Sequence, residues 1–152
     1  MPTHAEQRVL PYTAEQMFAL VADVGRYPEF LPWCIGARIR ESRPDLIVAD
    51  LIIGFRMIRE RFTSRVGLDP PRRIDVEYAE GPFRYLNNRW IFEPVPGGCR
   101  IDFFVDFEFK SRLLQKLIEM LFHEAVRRMV GAFEGRARQL YGHPETGSAA
   151  TA

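Results

Sequence analysis

The chain has 152 residues, 47% of them hydrophobic, the size of one domain with one sizeable core. Lys and Arg (21) nearly cancel Asp and Glu (20), and the net charge of +1 argues against the strongly basic footprint of a dedicated nucleic-acid binder. Cys34 and Cys99 stand far apart, which argues against a disulfide framework and a zinc site. The opening MPTHAEQRVL lacks the pattern of a secretory leader, and no window approaches the roughly 18 apolar residues of a membrane span. The expectation is a protein of the cytoplasm or the inner-membrane periphery, meeting lipid from the surface.

His4 to Leu10 alternates weakly and predicts a first, edge strand. Thr13, followed three residues later by Gln16, fits a capping box that opens a helix through Met17, Phe18 and Val21. A second helical turn near Val24 to Trp33 is interrupted by Pro28 and Pro32 and crowds Tyr27, Phe30, Leu31 and Trp33 together. From Cys34 the period becomes two. Strands are predicted near 34–41, 45–55, 57–69, 72–80, 86–95 and 99–109, separated by turn-like segments such as Pro70-Pro71, Gly81-Pro82 and Pro96-Gly97-Gly98. Such spacings suit an antiparallel meander. In the last strand Ile101, Phe103, Val105, Phe107 and Phe109 share one face, while Arg100, Asp102, Asp106 and Glu108 share the other. Ser111 can cap a final helix running to about Tyr141, with Gly142 and Pro144 as stops. Leu114, Ile118, Leu121, Ala125, Met129, Ala132 and Phe133 recur along it at helical spacing. A helix of about 45 Å across a bent sheet predicts an α+β domain over 1–142 with an apolar cavity between the layers, and a disordered tail over 143–152.

Few motifs carry chemistry. His4, His123 and His143 lack metal-ligand spacing, and His123-Glu124 departs from a zinc-protease helix because Arg127 stands where the second His belongs. Neither a catalytic residue nor a metal ligand is assigned. Alternation turns Phe62, Glu60 and Ser64 to the inner side of the sheet, and Asn88 shares a face with Leu86, Trp90 and Phe92. Glu60, Ser64 and Asn88 either orient the polar end of a ligand or are satisfied by neighbouring backbone and water. Phe30, Leu31 and Trp33, with Phe83 and Tyr85 after the Gly81-Pro82 turn, are candidates for the cavity mouth or for ordinary core at a corner. Trp90, Phe103 and Phe107, with Leu121 and Met129 of the helix, are the candidate interior lining. Arg59, Arg61 and Arg65 alternate onto the outer face, the best candidate for contact with RNA or anionic lipid.

Several stretches carry a resemblance: LVADVGRYPEFLPWC (Leu20 to Cys34), ERFTSRV (Glu60 to Val66), GPFRYLNNRWIF (Gly81 to Phe92), CRIDFFVDFEFKSRLLQKLIEMLF (Cys99 to Phe122) and MVGAFEGRA (Met129 to Ala137). Together they resemble the coenzyme Q-binding START-like family, related to the polyketide cyclase and dehydrase group. The resemblance implies a helix-grip (START/Bet v 1-like) fold, with a seven-stranded curved antiparallel sheet wrapped around the long C-terminal helix and two short helices after the first strand. It also implies non-catalytic binding of ubiquinone or a related isoprenoid lipid, as bound ligand rather than catalytic cofactor, in a chaperone or carrier supporting respiratory electron transport. Two alternatives stay open. One is the family's bacterial branch of ribosome-association toxins, which bind the large ribosomal subunit and inhibit translation. The other is a small-molecule cyclase-like enzyme, for which fold kinship and Glu60 speak.

Overall fold

The computed structural model describes residues 3–55 and 58–142; the tail expected after Gly142 lies outside them. Strand β1 (Thr3–Leu10) is followed by helix α1 (Ala14–Ala22) and a 3₁₀ helix (Val24–Glu29). Strands β2 (Cys34–Arg43), β3 (Leu46–Phe55), β4 (Ile58–Asp69), β5 (Arg73–Glu80), β6 (Phe83–Val95) and β7 (Gly98–Phe109) then lead to helix α2 (Arg112–Tyr141). The seven strands form one antiparallel sheet in the order β1-β7-β6-β5-β4-β3-β2. Each hairpin from β2 to β7 therefore pairs neighbours, while α1 and the 3₁₀ helix carry the chain from one sheet edge to the other. This is the helix-grip arrangement, with α2 lying along the concave face.

Local chemistry accounts for the boundaries. The Thr13 hydroxyl accepts from Gln16 N at 3.0 Å and the Gln16 side chain accepts from Thr13 N at 2.9 Å, so α1 opens with both halves of a capping box. Ser111 Oγ accepts from Leu114 N at 3.2 Å to start α2, and Gly142, at φ +79°, ends it. Two other glycines are required by close approach. A Cβ on Gly98 would lie 1.9 Å from Leu10 O, where β7 begins against the end of β1. One on Gly81, at φ +147°, would lie 2.5 Å from Phe62 Cβ.

The sheet has two dissimilar faces. Inward go Ala49, Leu51 and Ile53 of β3, Phe62, Ser64 and Val66 of β4, Ile74 and Val76 of β5, Trp90 and Phe92 of β6, and Ile101, Phe103, Val105 and Phe107 of β7, as the register pairs them. Burying such a row is the main stabilisation of the domain. The free thiols of Cys34 and Cys99 belong to this core, and burial pushes the Cys99 thiol up to about 11.

One boundary differs from the sequence pattern. Strand β6 starts at Phe83 rather than near 86, because a bulge between Phe83 and Tyr85 lets the chain pair with β7 at once after the Gly81-Pro82 turn. Phe83 is consequently no loop residue at a mouth. It is 5% exposed and packs among Phe62, Tyr78, Phe107 and Phe109, stacked on Phe109 at 4.6 Å between ring centroids.

Candidate functional site

The space between sheet and α2 is divided by how tightly it is filled. Beneath the C-terminal part of the helix, Phe133 meets Tyr27, Phe30 and Trp90 at centroid distances of 5.6, 5.3 and 5.1 Å, and Trp90 in turn meets Phe103 at 4.6 Å. Trp90, Phe103 and Phe133 border a space of about 30 Å³, together with Leu10, Met17, Ile101 and Val130 and the charged side chains of Glu6, Arg8 and Glu134. That is the room one water molecule occupies. The spacious cavity expected from the layer geometry is therefore closed here by aromatic side chains large enough to span both layers.

Toward the N-terminal part of α2, before Phe122, no side chain of the helix is fully buried. Leu51, Ile53, Leu86, Phe107, Leu114 and Ile118 all face the cluster of Phe62, Phe83 and Phe109, yet each stays only partly buried. Leu121 and Met129 are likewise partly buried, Met129 against the main core. This inward-facing apolar row retains some access to solvent.

The expected mouth residues separate. Phe30 packs on Phe133 with the Arg136 guanidinium 5.2 Å above its ring, and Leu31 is 8% exposed, so both serve the closed end as core. Trp33 stays partly exposed and its carbonyl accepts from Gly54 N at 2.8 Å, which places it beside the end of β3.

The polar trio on the inner face also divides. Asn88 Nδ2 donates to Phe104 O at 2.8 Å, and Asn88 Oδ1 accepts from Trp90 Nε1 at 3.0 Å. Its amide thus ties β6 to β7 and fixes the indole, the scaffold role left open as the alternative to ligand contact. Ser64 is 1% exposed between Ala49 and Tyr78. Glu60 stands half-buried opposite Ile53, at the groove end.

Three features had no sequence signal strong enough to nominate them. The inward residues of β1 are His4, Glu6 and Arg8, facing α2 across a polar seam in which Arg8 bridges Glu6 and Glu134. Burial pushes the Glu6 carboxyl up, but the hydrogen bond from His4 and the charge of Arg8 leave it below the ordinary value of 4.5. On the outer face Asp50 is 3% exposed, accepting from Thr63 Oγ1 at 2.6 Å and from Arg40 Nε at 2.8 Å. The Thr63 bond, then Arg40 and the nearby charge of Arg61, hold its carboxyl below 3.8 against the opposing effect of burial. Around it Arg38, Arg59, Arg61 and Arg65 are exposed on adjacent strands, in ion pairs with none of the described residues. Finally, an open depression of about 330 Å³ lies over the outer face of β1, β7 and β6, beside Gln7, Arg89, Asp102 and Phe104.

Comparison with known proteins agrees with this architecture. The chain is 39% identical over 142 residues to the ribosome association toxin RatA of Escherichia coli K12, covering 93% of this chain and 90% of that protein. It is 36% identical over 154 residues to the mitochondrial coenzyme Q-binding protein COQ10 homolog B of Xenopus laevis, covering 98% of this chain and 63% of that one. The solution structure of an 18 kDa protein from Caulobacter crescentus superposes with a TM-score of 0.76 at 40% identity, covering 94% of this chain and 100% of that one. Residues 10–134 match the family described as polyketide cyclase / dehydrase and lipid transport. Matched over most of its length and folded as a helix-grip domain, the chain belongs to the polyketide cyclase / dehydrase and lipid transport family.

Proposed function

We propose that the chain binds a ubiquinone-like isoprenoid lipid in the groove beneath the N-terminal part of α2, non-catalytically, as a chaperone or carrier for respiratory electron transport. The observation that carries this reading is the inward apolar row of Leu51, Ile53, Leu86, Phe107, Leu114 and Ile118, which stays partly open to solvent beneath the part of α2 that has no fully buried side chain. At ~0.8 kcal/mol per buried CH₂, an isoprenoid tail leaving water for such a groove is strongly favoured, whereas its transfer from a bilayer is nearly neutral. A carrier needs that balance. The void of about 30 Å³ at the other end cannot take a ring, so the ligand enters by displacing the helix at the groove, with the rest of a long tail protruding. Interior polar groups support a binding role over a reaction: the Asn88 amide and the Tyr78 hydroxyl are hydrogen-bonded to the scaffold. The test is organic extraction of freshly purified protein and mass spectrometry, with quenching of tryptophan fluorescence by a short-chain quinone. A prenylquinone in near-stoichiometric amount, with quenching lost in Ile118→Phe and Leu51→Phe, is expected. No extracted lipid and no saturable quenching would sink the reading.

A second reading has its own observation. Arg38, Arg40, Arg59, Arg61 and Arg65 cover the outer face of β2, β3 and β4, and the one buried carboxylate among them, Asp50, is neutralised by Arg40. Such a face suits the phosphate backbone of the large ribosomal subunit, as a translation inhibitor would require. Cosedimentation with ribosomes that weakens with salt, and disappears in Arg61→Glu/Arg65→Glu, would establish it; wild-type protein that stays in the supernatant at low salt would remove it.

A further inference from the structure

We propose that the outward face of the first three turns of α2 docks on an anionic lipid bilayer. Among the described residues the two most exposed large apolar side chains are Leu113, at 78%, and Met120, at 82%. Both stand on this face, with Leu117 between them. At 3.6 residues per turn the three fall within a sector of about 60°. The sector is not isolated from the interior. Leu114 and Ile118, on its flank, reach the cluster of Phe62, Phe83 and Phe109, so one apolar surface runs from the groove around the helix to solvent.

Charge selects the partner. From Lys110 to Met120 the chain carries Lys110, Arg112 and Lys116 against one acid, Glu119, which accepts from Gln115 Nε2 at 3.1 Å, leaving a net positive edge beside the apolar stripe. The outward positions farther along are different: Glu124 and Arg128 pair with each other at 2.8 Å, as on an ordinary solvated helix. An apolar stripe with cations along its edge is the pattern of an interfacial helix, which sinks its leucines to the acyl boundary while lysines stay among anionic headgroups. A nucleic acid would use the cations but leave Leu113 and Met120 without a role. For its purpose the proposal rests on the ligand reading, since the bilayer is where an isoprenoid lipid resides. Its test needs no ligand.

The full chain is floated with vesicles of phosphatidylcholine alone and of equal phosphatidylcholine and phosphatidylglycerol, without quinone. Binding to the mixed vesicles, weakening with salt, is expected. Lys110→Gln/Lys116→Gln should weaken it about fivefold per lost charge, and Leu113→Ser/Met120→Ser by about tenfold or more. Arg61→Gln, on the outer sheet face, should bind as wild type does. Leu113 and Met120 are mostly exposed, so their variants keep the fold, which circular dichroism checks. Wild type that fails to float, or a Leu113→Ser/Met120→Ser variant that floats equally well, overturns the proposal. A dimer in sedimentation equilibrium that Met120→Ser dissolves overturns it too, in favour of a second copy on the stripe. Quinone quenching without vesicles, run on the same variants, separates the two ideas: flotation with no quenching breaks the ligand reading and leaves the docking surface standing.

Discussion

The two parts of α2 are built for different purposes. From Phe122 onward the helix supplies all four of its buried side chains, Phe122, Val126, Phe133 and Ala137. That part is also tied down by polar contacts: Tyr141 Oη donates to Gln16 O at 2.9 Å, Tyr12 Oη to Gly142 O at 3.0 Å, and Arg136 to Glu29 at 2.9 Å. Before Phe122, Leu114 and Ile118 are partly buried, Leu113 and Met120 face solvent, and Gln115 Oε1 accepts from Phe109 N at 2.8 Å beside the helix start. One helix is thus a clamp at its C-terminal end and a loosely seated cover at its N-terminal end. On the proposed reading, stability and ligand access occupy opposite ends of one helix, and local opening at one end need not unfold the other.

The largest expected effect tests the clamp. Phe133→Ala removes a ring 5% exposed and in contact with three others, and should cost about 3–5 kcal/mol in urea unfolding. Ile118→Ala, at the partly open end, should cost about 1–2 kcal/mol, below the usual range for a fully buried site, because the groove already forgoes part of the packing. Equal costs at the two positions would erase the difference between the ends. Hydrogen exchange sharpens it without mutation: amides over 115–120 should open at lower free energy than those over 126–137, and uniform protection would contradict the loose cover.

The same contrast separates what could be read from the sequence from what could not. Alternation and caps place six strands to within a few residues and both helices correctly, since Thr13, Ser111 and Gly142 act through neighbours in the chain. Strand β1 is the weaker case, because its inward residues His4, Glu6 and Arg8 are polar and satisfied only by one another and by Glu134, more than a hundred positions away. The inner placement of Glu60, Phe62, Ser64, Asn88, Trp90, Phe103 and Phe107 follows from a period of two. What periodicity cannot give is filling. Whether Phe133 and Trp90 leave a cavity or close it depends on rings from four separate segments meeting, so the division into a closed and an open end becomes visible only in three dimensions.

A smaller effect tests the tether at the clamped end. Tyr141→Phe deletes the hydroxyl that donates to Gln16 O and leaves the ring, which sits 6.1 Å from Tyr12. The expected loss is about 1 kcal/mol by thermal unfolding. Quinone quenching should not change. A variant that loses ligand affinity while its melting point stays put would show the two ends coupled.

The smallest effect expected comes from the seam between β1 and the clamped part of α2. Arg8 pairs with Glu134 and, at 2.7 Å, with Glu6, but its side chain is 42% exposed, so water and salt screen the attraction. Glu134→Gln should therefore cost less than about 1 kcal/mol, and the difference from wild type should shrink in high salt. The pH dependence has a definite sign. In the folded state the Glu6 carboxyl titrates below its ordinary value of 4.5, so the charged form is favoured by folding. Its contribution is present above about pH 4.5 and is lost as the pH falls through the lower, folded value. Glu6→Gln removes that contribution, and the gap between its stability and that of wild type should narrow on acidification below that pH. A gap that widens there would mean the carboxylate is held at the seam against its interest, and that burial by α2, rather than Arg8 and His4, governs this edge of the grip.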